Sequence, residues 1–191
     1  MVLGIAYSAD VPLLRWKRFP VLAATCILAV RAVIVQLGFF SHARLTLAKE
    51  GGLGVAQWVP PEGRSLGLFF GTKFMVLFSV AIALFKDLPD IEGDKKAGIR
   101  TLSVVLGQKV VFGVCVGLLA AAYAAATAVG ATCCTWWWSK AVTMGSHLGL
   151  GVLLLARSRK VDIDSADSLY AFYMFIWKLF YAEYMLLPFI R

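Results

Sequence analysis

The chain has 191 residues, of which 60% are hydrophobic and only 16% charged. A water-soluble domain is nearer half apolar and a quarter charged, so this composition excludes one, together with disordered, collagen-like, coiled-coil and disulfide-scaffold classes. The net charge of +8 does not point to nucleic acid: Lys and Arg fall between apolar stretches, as they do beside anionic lipid, and no long basic run is interleaved with aromatics.

The predicted elements are membrane spans. Span one runs from Phe19 to Phe40, behind the basic tetrad Arg15-Trp16-Lys17-Arg18, with Pro20 where a first-turn proline is tolerated. A Gly/Pro-rich loop follows, and its Gly51-Gly52-Leu53-Gly54 lacks the Gly-Lys-Ser/Thr of a phosphate-cradling loop. Span two is Leu66 to Phe85. The uncharged stretch Val110 to Trp138 holds span three and an interfacial anchor, Trp136-Trp137-Trp138. A short span four, Ala141 to Ala156, and an aromatic span five, Ser168 to Ile190, complete the set. Five spans of about 20 residues occupy about 100 positions, which leaves no room for a second, soluble domain. The expectation is an all-α transmembrane fold of about five membrane-spanning helices forming a single domain over 1-191. Gly113-x-x-x-Gly117 and Gly145-x-x-x-Gly149 are expected at close helix contacts. The start of the chain has neither a basic n-region nor an Arg/Ser-rich leader, so no signal or transit peptide is expected within it. The four cysteines show no metal-ligand spacing.

Eleven Lys and Arg fall on the face holding the loop between spans two and three, against five on the other. The positive-inside rule puts that loop on the cytoplasmic-type side, or the stromal side of a plastid membrane. The loop carries the densest chemistry in the chain, Lys86-Asp87-Leu88-Pro89-Asp90-Ile91-Glu92-Gly93-Asp94-Lys95-Lys96. On a continuous helix Asp87, Asp90 and Asp94 would lie within about 60° of one another, although Pro89 ends or kinks such a helix. Clustered carboxylates call for a cation, and hard oxygen ligands suit Mg²⁺ bridging to substrate phosphates. Two readings stay open here: a Mg²⁺-diphosphate site, or a solvated loop whose acids balance Lys86, Lys95, Lys96 and Arg100. For Asp162, Asp164 and Asp167 the simpler reading holds, with Ser165, Asp167 or Ser168 capping span five. Within the spans lie Arg31, Lys73, Lys178 and His147, each charge costing about 2.5–3.5 kcal/mol. Glu183, offset by five from Lys178, is turned away from it, so compensation must come from snorkelling, other helices or an anionic ligand. His147 reads as a hydrogen-bonded packing residue.

The acidic segment, with Gly98-Ile99-Arg100-Thr101-Leu102-Ser103-Val104 and Leu106-Gly107-Gln108, resembles the second aspartate-rich motif of the UbiA superfamily of intramembrane aromatic prenyltransferases. Leu14 to Phe19, Ala29 to Leu37 and Phe172 to Tyr184 resemble the branch that prenylates homogentisate in plant vitamin E synthesis. The resemblance covers the chain except Thr46 to Arg64. It implies the second half of a nine-helix bundle, with Met1 to Ser8 as the tail of a preceding span. The branch's first motif, NxxxDxxxD, is absent, which implies a missing amino-terminal half. It further implies transfer of a phytyl or geranylgeranyl group from its diphosphate to homogentisate in a plastid membrane. Asp87, Asp90 and Asp94 would then be the catalytic Mg²⁺ ligands, and Lys95, Lys96 and Arg100 would hold the diphosphate, while Arg31 or Lys178 would attract the acceptor's carboxylate. Two other classes remain: a half-protein that is inactive or depends on a partner chain, and a transporter or channel fragment. No internal repeat supports the latter, and the acids sit at a span end rather than at the midplane.

Overall fold

A computed structural model describes residues 2–11, 15–16, 22, 25–26, 28–49 and 66–190, and all regular structure among them is helical. In chain order these are α1 (Val2–Ser8), a π-helical segment (Ala29–Ile34) running into α2 (Val35–Lys49), and α3 (Leu66–Phe85). The short α4 (Ile91–Lys96) and α5 (Leu102–Leu106) precede α6 (Gln108–Cys133), α7 (Trp137–Ser158) and α8 (Ala166–Leu186), and a single 3-10 turn, Leu187–Phe189, follows.

Helix α3 is the hub. Its sequence is apolar all round, so it can be buried among other helices, and it packs on α6, on α8, on α2 and on the π-helical segment. Phe74, Phe78 and Phe85 meet Tyr123 and Phe112 of α6 and Phe172 and Phe180 of α8 at ring-centroid distances of 5.5 to 6.1 Å. Inside a bilayer such ring packing and close backbone approach do what the hydrophobic effect does in water.

Three described helices are long and apolar enough to cross a membrane, with windows at Leu68–Phe85, Gln108–Cys133 and Trp137–Ser158. The protein is an integral membrane protein. The expected count of five is not reached among the described residues. Helix α8 has the length, but Asp167, Lys178 and Glu183 lower its hydropathy. The start of span one lies outside the described residues, and its described part is a shorter apolar helix, Ala29–Ala43. Most of the Gly/Pro-rich loop, 50–65, also lies outside them. Two boundaries differ from expectation as well. The tryptophan triplet does not close span three: α6 ends at Cys133, and Trp137 and Trp138 open α7, which makes α7 a full 22 residues.

The close contact between α6 and α7 is real, but it is made by other glycines than those expected. A Cβ on Gly113, Gly117, Gly145 or Gly149 would meet nothing within 4 Å, whereas one on Gly130 would lie 2.9 Å from Thr143 Cγ2 and one on Gly151 3.1 Å from Tyr123 Cβ. The four-residue spacing finds a small-residue stripe without saying which side of the helix it faces. We expect Gly151→Leu to destabilise the bundle by about 1–3 kcal/mol through overpacking and Gly145→Leu to leave it unchanged, as read by thermal unfolding in detergent; equal effects would remove the assignment.

Candidate functional site

The acidic segment is built by two anchors and a helix stop. Leu88 is fully buried and Ile91 nearly so, which pins the segment to the end of the core. The last turn of α3 closes through Lys86 N–H to Ile82 O (3.1 Å) and Leu88 N–H to Phe85 O (3.1 Å). Pro89 has no N–H with which to extend it. Asp90 is the N-cap residue of α4, and its carbonyl accepts from Asp94 N–H at 2.9 Å. Helix α4 ends in a Schellman motif, with Gly98 N–H on Lys95 O (3.2 Å), Ile99 N–H on Asp94 O (2.9 Å) and Gly98 at φ +70°. From the other side, Gln108 Nε2–H donates to Leu88 O at 3.4 Å.

The continuous-helix spacing therefore does not apply: a turn over 86–90 separates Asp87 from α4. Asp87 and Asp94 are half-buried, and Asp90 is exposed, as are Lys95, Lys96 and Arg100 around the end of α4. Burial pushes the Asp87 carboxyl up from its usual range; Lys86, whose Nζ is 3.9 Å away, opposes this, and the charges of Asp94 and Asp90 add to it. A side chain at Gly93 would collide with the Asp90 carboxylate, so the glycine leaves that carboxylate room over the helix start.

Among the described residues no three His, Cys, Asp or Glu side chains converge as a ready metal cage. The donors are carboxylates strung along a short segment, mutually repelling and facing exposed cations. That fits a hard, water-keeping cation which shares its coordination sphere with substrate oxygens, as Mg²⁺ does, better than a cation held by protein ligands alone.

The intramembrane cations meet aromatic rings. The Arg31 guanidinium lies over Trp177, 4.8 Å from the ring centroid, and Lys73 Nζ lies 4.0 Å over Phe69. Lys178 is exposed on α8. His147 and Glu183, 0% and 1% exposed, form an ion pair at 3.0 Å between α7 and α8, and His147 Nδ1 lies 2.6 Å from Thr143 O. Sequence reading recognised both residues but not their pairing. The available signal was that intramembrane polar groups find one another. Among the acids of the loop between α7 and α8, the Asp164 N–H donates to Asp162 Oδ1 (3.1 Å) and Ser165 caps α8 by accepting from Ser168 N–H (3.3 Å), as the simpler reading expected.

The structure defines an all-helical integral membrane protein with a segment dense in acids and bases pinned at the end of α3. The chain belongs to the UbiA prenyltransferase family, whose profile matches residues 1–179. It is 53% identical over its whole length to homogentisate phytyltransferase 1, chloroplastic, of Arabidopsis thaliana, and 46% identical to homogentisate geranylgeranyltransferase of Triticum aestivum. Over 98% of its length it is 41% identical to homogentisate phytyltransferase of Synechocystis sp.. It spans about half the length of these relatives, covering 46%, 44% and 56% of them respectively. No solved structure matches the chain.

Proposed function

We propose that this chain is the part of a plastid-membrane aromatic prenyltransferase that grips a prenyl diphosphate, in an enzyme that transfers a phytyl or geranylgeranyl group to homogentisate. The observation that carries the reading is the pinned segment from Asp87 to Arg100 at the end of α3, in a chain half identical to a homogentisate phytyltransferase. The relatives' greater length supports an amino-terminal part that completes the site.

In this reading Asp87, Asp90 and Asp94 hold Mg²⁺, whose bound charge offsets that of the departing pyrophosphate. Lys95, Lys96 and Arg100 are exposed donors that orient the diphosphate oxygens. Leu88 and Ile91 hold the segment against the bundle, so the diphosphate stays at the surface while the hydrocarbon chain enters the apolar interior. The rings of Phe85, Phe112, Phe172 and Tyr173 lie just below the segment, at 5.5 to 6.3 Å from one another, and exclude water from the carbon that loses the diphosphate. For the aromatic acceptor, Arg31 or Lys178, two of the cations within the spans, would attract its carboxylate.

The test is retention of geranylgeranyl diphosphate by the purified chain in nanodiscs. Binding is expected in magnesium and not in EDTA; equal binding in both would overturn the assignment.

A further inference from the structure

The first described span is not a regular α-helix where its charge sits. Ala29–Ile34 is π-helical, closed by Val35 N–H on Val30 O, and Arg31 lies within it. Single π turns are uncommon and recur at functional sites. Arg31 is half-buried, and among the described residues no carboxylate pairs with it. Its guanidinium carbon lies 4.8 Å from the Trp177 ring centroid. A guanidinium held by a ring contact keeps N–H donors that can grip a carboxylate in two parallel hydrogen bonds.

One further polar contact lies beside it. Gln36 Nε2 donates to the Tyr184 hydroxyl at 2.7 Å, across the gap between α2 and α8. Both side chains are half-buried. Tyr184 lies seven positions beyond Trp177, two turns along α8, so the ring beneath Arg31 and the hydroxyl that Gln36 reaches fall on one face of that helix.

Depth completes the geometry. Phe85, directly before the acidic segment, stacks on Tyr173 at 6.3 Å, and Tyr173 meets Trp177 at 6.3 Å. Trp177, and with it Arg31, therefore lies about one turn, or about 6 Å, further into the bundle than Phe85. An acceptor ring held there faces the first carbons of a chain whose diphosphate is held at Asp87 to Arg100.

We propose that Arg31, Gln36 and Tyr184, with Trp177 as the aromatic wall, form the acceptor subsite, which takes a hydroxylated aryl carboxylate: Arg31 holds the carboxylate, and Gln36 with Tyr184 reads a ring hydroxyl. This rests on the prenyltransferase reading above, and it assigns the carboxylate to Arg31 rather than to Lys178, which is exposed on α8.

The test is binding of homogentisate, its methyl ester and phenylacetate to the purified chain in nanodiscs, alongside magnesium-dependent binding of geranylgeranyl diphosphate. Arg31→Gln is expected to weaken homogentisate about tenfold or more and leave the ester and the diphosphate unchanged. Tyr184→Phe is expected to weaken homogentisate several-fold without affecting phenylacetate, which has no hydroxyl to read. Should Arg31→Gln fail to assemble, Arg31→Lys and Tyr184→Phe carry the comparison. Homogentisate binding that is absent from the unsubstituted chain, or indifferent to Arg31 and Tyr184, overturns the subsite. Loss of diphosphate binding in magnesium would instead strike the prenyltransferase reading itself.

Discussion

Changing Asp87, Asp90 and Asp94 together to Asn is expected to lower prenyl transfer by at least about 10²–10³-fold, the scale of losing one well-placed electrostatic stabiliser of a departing charge. Transfer is to be measured with an amino-terminal half supplied. The isosteric change keeps the shape of the segment, and Leu88, Ile91 and the Schellman motif that closes α4 are untouched, so helicity should not fall. Stability makes the experiment sharper. Burial first, then Asp94 and Asp90, raise the Asp87 pKa above its ordinary value of 3.8. A carboxyl raised in the folded state contributes most below its unfolded pKa, and that contribution is lost as pH rises through the folded value. The metal-free protein should therefore gain thermal stability on acidification toward pH 4, and Asp87→Asn should remove most of that gain. A triple variant that keeps its turnover would mean that the segment is a solvated loop.

How much of this was legible in the sequence depends on the range over which each feature is determined. Long uncharged runs fix their own state, because a helix is the only open-chain way to satisfy backbone groups in lipid; hence α3, α6 and α7 are readable directly. The segment from Lys86 to Lys96 was readable as chemistry, since its density of charge beside an apolar run is local. Its conformation was less so: spacing alone allowed three carboxylates on one helix face, whereas Pro89 stops α3 and Asp90 begins a new helix. The glycine contacts were misplaced because a four-residue repeat carries no information on the partner helix, and Gly130 and Gly151 stand outside any such repeat. Nothing in the text around Arg31 announces a π turn or the indole that covers the guanidinium, 146 positions away; the indole is brought there by tertiary packing alone.

The second large effect lies at His147 and Glu183, which no local pattern joins. His147 Nδ1 faces the Thr143 carbonyl at 2.6 Å, and a carbonyl can only accept, so Nδ1 carries a proton. The other ring nitrogen, Nε2, lies 3.0 Å from Glu183 Oε2. Imidazolium with carboxylate and imidazole with carboxylic acid are both neutral overall, which is how a glutamate is carried in the apolar interior without a net charge. Phe70 and Phe74 close the pair from α3, with ring centroids 5.7 and 5.8 Å from His147. Removing one partner leaves a buried polar group unmatched, so Glu183→Ala is expected to cost about 3 kcal/mol, the lower end for breaking a buried pair. That corresponds to a fall of about 6–12 °C in thermal midpoint for a chain of this size. Glu183→Gln is expected to cost far less, because its amide donates to the unprotonated ring nitrogen and keeps α7 joined to α8. Equal losses for Ala and Gln would show that the pair acts through full charge, and no loss for Ala would remove it as a determinant of the bundle.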